Sequence, residues 1–475
     1  MEIPGGVFCP VRDSNGNIHE GVNSVSTRRD FLKGASVAGA AVAGLSLARG
    51  AHAAGSDEIR VVLSGCGGRG TGAIRDFIQG AIATKTKVRV MAVSDAFEKK
   101  AKGLLDGLKG DDDLAPFVDE NAKAIGALDG FNDAIATLRP GDVCCMAEAP
   151  GYRQFSYKAA VEAGMHVFME KPCCTDAPGY QSLLETTQMA VDKKLVVACG
   201  LQRRHQASYL ETMDRIAAGA LGRLMYQRVY WNGGAIWTLG REPGQSEMAF
   251  QVNNWYNFCW LSGDHIVEQH VHNLDIANWV YMITSGCDVK DAHPVKANGM
   301  GSCQCHRGNE AMGQIFDNHV VEFTYADGTQ AFSQCRQINN TWSNVSEYVY
   351  GTEGEGNPGG WLKGKVEYGY DEKKDAKGRH GNPYVQEHID LLNAIKGDKD
   401  YFNDGWHTAN ASFTSVFGRL ATYSGIEVNW DDAVSKMATI YPADPFSFDS
   451  EAPVQPGEDG TYAETLPVPG IYMPY

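Results

Sequence analysis

No apolar run beyond residue 54 is long enough to cross a bilayer, so no membrane span is expected in the mature chain. Positive charge is scarce: 42 Lys+Arg face 58 Asp+Glu, a net charge of −16 over 475 residues. A field of that sign repels phosphate backbones, which excludes nucleic acid as an expected partner. The 12 cysteines have no regular spacing, so a small disulfide framework is also excluded. Their tightest group, Cys303-Gln304-Cys305-His306, has a narrower gap than zinc sites use and reads as a loop. No metal is expected. Internal repeats are absent. The remaining composition, 43% hydrophobic and 21% charged, is that of a globular chain of two or three domains.

Residues 1–54 read as an address. Ser26-Thr27-Arg28-Arg29-Asp30-Phe31-Leu32-Lys33 matches the twin-arginine export pattern, an apolar stretch runs from Gly34 to Ala48, and Ala51-His52-Ala53 supplies a small-x-small cleavage site. This order predicts cleavage after Ala53 and a periplasmic or other extracytoplasmic location. The route carries proteins folded in the cytoplasm, so the cysteines are expected to fold reduced.

The next segment has the pattern of a nucleotide-binding unit. Ile59 to Leu63 is an apolar, β-branched run, followed at once by Gly65-Cys66-Gly67-Gly68-Arg69-Gly70 and by Ala73, Ile74, Phe77, Ile78 and Ala81 at helical spacing. Glycines between a strand and a helix are the context of a dinucleotide fingerprint. Gly65 permits the tight turn, Gly67 lets backbone amides approach a pyrophosphate, and Gly70 lets the helix pack close. A second strand, Val88 to Val93, leads to Asp95, placed to meet ribose hydroxyls. A carboxylate there repels a 2′-phosphate and favours NAD, while Lys99, Lys100 and Lys102 keep NADP open. The Asp-rich stretch 111–113 reads as a solvated turn. Further strands are expected over Asp142–Met146, Met165–Met169 and Leu195–Cys199, the second of them leading into Glu170-Lys171-Pro172.

The GCGGRG loop, the acid after strand two, and the run AVEAGMHVFMEKP together resemble the glucose-fructose oxidoreductase / inositol dehydrogenase / MocA family (Gfo/Idh/MocA). The resemblance continues through GLQRRHQASY at 200–209, GDHIVEQHVHNLD at 263–275 and the segment from His407. It implies an α/β protein with an N-terminal Rossmann domain over 55–200 and, over 201–440, an α+β domain on a large open, mainly antiparallel sheet. The active site would lie in the cleft between them. It also implies a cofactor site at Gly65, Gly67, Gly68, Arg69, Gly70, Asp95, Glu170 and Lys171, and catalytic roles for Lys171, His272 and Glu268. Two positions depart from the pattern. The usual Asp-x-x-x-His pair appears as Glu268 and His272, and Arg153 stands where a histidine is common.

Read from spacing alone, Asp264, Glu268, His272 and Asp275 share one face if the segment is helical, beside an apolar stripe of Val267, Val271 and Leu274. His272 could then accept a hydroxyl proton, with Glu268 or Asp275 orienting it, while Lys171 holds the oxygen. A metal held by Asp264, His265, Glu268, His270 and His272 is disfavoured, because they cannot all point inward from one helix. Arg204, Trp255, Tyr256 and Asp275 are the substrate-side candidates. Eight aromatics between Tyr230 and Trp260 suit either sugar stacking or a packed core. Residues 351–360 read as a flexible loop and 441–475 as an extended tail. Three functions stay open: an NAD(P)-dependent oxidoreductase of a sugar or sugar derivative with an internally recycled cofactor, a glycosidase using NAD for transient ring-hydroxyl oxidation and elimination, and a non-catalytic carbohydrate-binding protein. A homo-oligomer is expected.

Overall fold

A computed structural model describes residues 58–305, 308–443 and 446–475. The twin-arginine segment, its cleavage site and His306 lie outside the described residues. Two sheets organise the chain. The first is fully parallel and contains β1 (Glu58–Ser64), β2 (Lys87–Asp95), β3 (Val118–Gly126), β4 (Val143–Met146), β5 (His166–Met169) and β6 (Val197–Cys199), in the order β3-β2-β1-β4-β5-β6. Strand order reverses between β1 and β4, which opens a crevice at their carboxyl ends. Side chains alternate between two cores. Val61, Leu63, Val143, Cys145 and Phe168 pack with the helices Gly68–Thr84 and Glu98–Lys109. Val62, Cys144, Met146, Val167 and Met169 pack with Pro150–Glu162 and Ala177–Asp192. Burial on both faces is why these strands are near-continuous apolar runs. β3 is different: as an edge strand it is half-exposed and polar, VDENAKAIG, and follows the Asp-rich turn without an apolar signature.

The second sheet has nine strands: β7 (Leu224–Gly233), β8 (Lys296–Ser302), β9 (Asn318–Thr324), β10 (Gln330–Gln337), β11 (Asn344–Gly351), β12 (Gly354–Asn357), β13 (Trp361–Gly364), β14 (Tyr368–Gly369) and β15 (Val428–Asn429). Their order is β14-β13-β12-β11-β7-β10-β9-β8-β15, antiparallel throughout except for β7 beside β10. One face, through Val229, Val321, Phe323, Ala331 and Cys335, buries against the helices Val271–Ser285 and Gly405–Ser424. The expected flexible loop at 351–360 is a correction. Gly354–Asn357 form β12, where a Cβ on Gly356 would stand 2.4 Å from the Trp361 carbonyl oxygen, so the strand needs a residue without one.

β6 ends at Cys199, and the chain later crosses back. The helix Pro383–Lys396 places Leu391 and Leu392 in the core beneath β1, and Val197 pairs with Asn403. The C-terminal segment has no strand and one short 3-10 turn among its described residues, yet it is packed: Tyr441, Ala452, Val454 and Tyr462 bury with Phe250, Phe258 and Trp260. No helix among the described residues is long and apolar enough to cross a membrane.

Candidate active site

The glycine loop is shaped by close backbone approach. Gly65 has φ +86°, and a Cβ there would lie 2.4 Å from the Ala147 carbonyl carbon; on Gly70 it would lie 1.7 Å from the Gly65 carbonyl oxygen. Gly67 and Gly68 are the opposite case, with nothing within 4 Å of such an atom. Their backbone faces open space at the start of the helix Gly68–Thr84, whose first N–H groups have no side-chain cap. Asp95 braces the loop: its carboxylate accepts from the Cys66 N–H at 2.8 Å and the Phe97 N–H at 2.9 Å.

A cavity of about 420 Å³ runs from this loop past Asp95, Phe97 and Lys100, along Glu148 and Tyr152, to Trp237, Trp255, Tyr256, Glu268 and Gln269. These residues fit a dinucleotide. Open amides at a helix N-terminus suit the pyrophosphate, and the carboxylate at the end of β2 suits ribose hydroxyls. Lys100 is held at the same end, 2.9 Å from Asn253 Oδ1 and 4.8 Å above the Phe97 ring, so a 2′-phosphate would also meet a cation.

Arg69 and Glu170 support the loop. Arg69 pairs with Glu170 and Asp76, each at 2.8 Å, and lies over the Tyr384 ring. The Glu170 carboxylate is pressed against Gly200, where a Cβ would come within 2.3 Å of it. Burial raises the Glu170 pKa against the pull of Arg69 and Lys171, and burial together with Glu170 raises that of Glu387 strongly. Glu170 thus reaches the glycine loop through Arg69.

Lys171 follows β5 and donates to the Glu268 carbonyl oxygen at 2.6 Å and to its carboxylate at 2.9 Å. Both side chains are about 10% exposed, and Glu268 lines the cavity. His272 is buried and stacks on Trp231, ring centroids 5.8 Å apart, with no hydrogen-bond partner on Nδ1 among the described residues. Burial, then the nearby charges of Lys171 and Arg203, hold its pKa well below the usual imidazole value, so the ring is neutral near pH 7.

The expected single polar helix face is corrected by the backbone. One turn, His265–Glu268, stops at Gln269 and His270, and a new helix starts at Val271. Asp264 turns to Tyr423 and the Phe316 N–H, and Asp275 to Arg204, leaving Glu268 as the carboxylate on Lys171. Arg204 reaches both Asp275 oxygens at 2.8 to 3.0 Å and stacks on Trp279. Arg204 and Asp275 are not among the cavity residues, nor are Glu170, Lys171 and His272, whereas Trp255 and Tyr256 are. Arg153 is a buried clamp, donating to the carbonyls of Met146, Glu148 and Glu170 and so tying together the ends of β4 and β5. Phe97, Glu148, Tyr152 and Gln269 line the cavity without having been singled out by sequence. Phe97 and Glu148 do carry a signal, since each stands just beyond the carboxyl end of a parallel strand.

No family model matches the sequence. An inositol 2-dehydrogenase 3 from Saccharopolyspora erythraea is 30% identical over 207 residues, 42% of this chain and 54% of the relative. The chain therefore matches about half the length of that curated relative. Among solved structures, a levoglucosan dehydrogenase in complex with NADH and levoglucosan aligns with TM-score 0.59 and 14% identity, covering 78% of this chain and 99% of the other. The WlbA dehydrogenase from Bordetella pertussis, in complex with NADH and UDP-GlcNAcA, aligns with TM-score 0.56 and 14% identity over 79% and 98%. At these identities the likeness establishes a shared fold.

Proposed function

We propose that the protein is an NAD(P)-dependent oxidoreductase of the glucose-fructose oxidoreductase / inositol dehydrogenase / MocA type, acting on a hydroxyl of a sugar or cyclic polyol. One observation carries this reading: the glycine cradle, Asp95 and the carboxylate that holds Lys171 border a single cavity. The names of the similar proteins, dehydrogenases of inositol, levoglucosan and a nucleotide sugar with NADH in two of the structures, support the same class.

Gly67, Gly68 and the helix start would hold the pyrophosphate and Asp95 the ribose, with Arg69 fixed behind them by Glu170. The bound nicotinamide supplies a hydride acceptor. The chain supplies the proton chemistry. Lys171, oriented by Glu268, holds the substrate oxygen and stabilises negative charge as the hydroxyl proton leaves. His272, neutral and buried, accepts that proton. Trp237, Trp255 and Tyr256 offer flat faces to a ring.

We further propose that the protein is exported by the twin-arginine route with its cofactor already bound. No metabolic pool is expected there to reoxidise free NADH, so a second carbonyl compound, or the substrate itself, would take the electrons back. The test is to heat-denature protein purified without added cofactor and analyse the supernatant, then to assay the holoenzyme against a panel of sugars, polyols and aryl glycosides. Released dinucleotide, with cofactor reduction on a sugar and no aglycone, is the expected result. Aglycone release without net NADH would move the assignment to the glycosidase, and binding with neither would make the protein a lectin-like module.

A further inference from the structure

Asp264, His265 and His319 are fully buried outside the cleft and each offers one ligand atom, all within 4.8 Å of one another. Asp264 Oδ1 lies 3.1 Å from His265 Nδ1 and 3.3 Å from His319 Nε2, and the Phe316 carbonyl oxygen lies 3.1 Å from the same His265 Nδ1. Ligands about 2.0 to 2.1 Å from a tetrahedral ion stand roughly 3.3 to 3.4 Å apart. These three spacings, of the six edges of a tetrahedral shell, are close to that value.

The outer contacts are those that orient metal ligands. Asp264 Oδ2 accepts from the Tyr423 hydroxyl at 2.6 Å and the Phe316 N–H at 2.9 Å. His319 Nδ1 stands 2.8 Å from Thr422 Oγ1, and that hydroxyl is 3.0 Å from the Arg419 carbonyl of its own helix. When Thr422 donates to this carbonyl, it accepts from His319 Nδ1, and His319 Nε2 is left with a lone pair facing a carboxylate. This Nε2 has no hydrogen-bond partner among the described residues. The lone pair and the carboxylate oxygen then repel each other. A divalent cation relieves this repulsion by accepting both lone pairs and neutralising the buried charge.

We propose that Asp264 Oδ1, His265 Nδ1 and His319 Nε2, with the Phe316 carbonyl oxygen as fourth ligand, bind a structural divalent cation of the zinc class. Two imidazoles, a carboxylate and a carbonyl in a closed shell suit Zn²⁺ better than Mg²⁺ or Ca²⁺, which prefer all-oxygen sets. The ion would join β9 to the turn that carries Glu268, four residues beyond Asp264, and so fix the carboxylate on Lys171. It is independent of the cofactor and of the substrate class.

Elemental analysis of the whole protein, expressed with Zn²⁺ in the medium and desalted, should find about one zinc per chain. Refolding with a chelator should lower Tm, and added Zn²⁺ should restore it. X-ray absorption at the zinc edge should show only N and O ligands at about 2.0 Å. His319→Ala should lose at least nine-tenths of the metal while Cys305→Ser keeps it. Less than a tenth of an equivalent in the parent protein, both as purified and after refolding with excess Zn²⁺, would overturn the site. Sulfur in the shell, or full metal content in a folded His319→Ala protein, would do the same. Should His319→Ala not fold, metal content and the absorption spectrum of the parent protein decide the matter alone.

Discussion

In the proposed mechanism Lys171 and His272 divide the proton chemistry because their surroundings differ. Lys171 is held by a carboxylate and a carbonyl oxygen at hydrogen-bond distance, whereas His272 faces cations and an aromatic ring and stays neutral. Replacing either should spare cofactor binding and slow the chemical step. Lys171→Met and His272→Asn are expected to lower kcat by about 10²- to 10⁴-fold, the range for a positioned acid or base, with dinucleotide content unchanged after gel filtration. Near-parental rates in both would remove these roles. With His272 as the proposed base, its depressed pKa also sets the acid limb expected of the pH profile. A base acts unprotonated, so kcat/KM falls only as pH drops through the folded-state pKa, and that value lies well below 6.5. A kcat/KM profile should stay flat through pH 6.5, and His272→Asn should lose the acid limb. A limb centred at or above 6.5 in the parent would contradict this.

At the scale of elements, the glycine loop separates a folding demand from a binding demand. Gly70→Ala drives a Cβ into the Gly65 carbonyl and should destabilise by about 1 to 3 kcal/mol or more, the scale of overpacking. Gly67→Ala meets no protein atom, so it should keep the parental Tm in chemical denaturation and thermal scans of the apoprotein, yet bind NAD at least tenfold more weakly, about 1.4 kcal/mol. Equal affinity in Gly67→Ala and parent would mean that the pyrophosphate lies elsewhere. The C-terminal segment has a similar indirect role. Phe448 stacks on Phe97 at 5.2 Å, and Phe97 lines the Asp95 end of the cavity, where the adenosine is proposed to bind. Ser246 and Gln251 hydrogen-bond the carbonyls of Phe448 and Val454 and hold the segment down. Phe448→Ala removes a contact worth about 0.5 to 1.5 kcal/mol, so bound dinucleotide should exchange up to about tenfold faster in a chase with unlabelled cofactor.

At the scale of the whole molecule, the two sheets share one core, and the proposed chemistry depends on that. β4, β5 and their helices are continuous with β7, β9, β10 and the helix Gly405–Ser424 in a single buried cluster, so Lys171 on one side and Glu268 on the other are fixed relative to each other. A protein built this way can travel folded with its cofactor inside, which is what the twin-arginine reading of residues 26–33 requires. Changing both Arg28 and Arg29 to lysine should leave the precursor in the cytoplasm with its dinucleotide bound, as fractionation and cofactor analysis would report. Export of the double variant at the parental level would remove the localisation proposal.

Sequence by itself determined the half built on the parallel sheet. Its signals are local: an apolar run buried on both faces, glycines where the backbone leaves no room for a Cβ, and an acid a few residues past the next strand, all within forty residues of one another. Where burial is one-sided or polar, local signals thinned, as in edge strand β3 and glycine-rich β12, whose pairing is set by neighbours rather than by its own residues. The 263–275 segment shows the limit most clearly. Its spacing described one helix face, but the chain breaks at Gln269 and His270 and sends Asp264, Glu268 and Asp275 to Tyr423, Lys171 and Arg204, partners 159, 97 and 71 residues away. Those meetings follow from which surfaces bury against each other when the sheets close on the returning helix Gly405–Ser424. Periodicity records which residues share a face, but the partner that face finds is decided only by tertiary packing, because burial and charge pairing act through space and not along the chain.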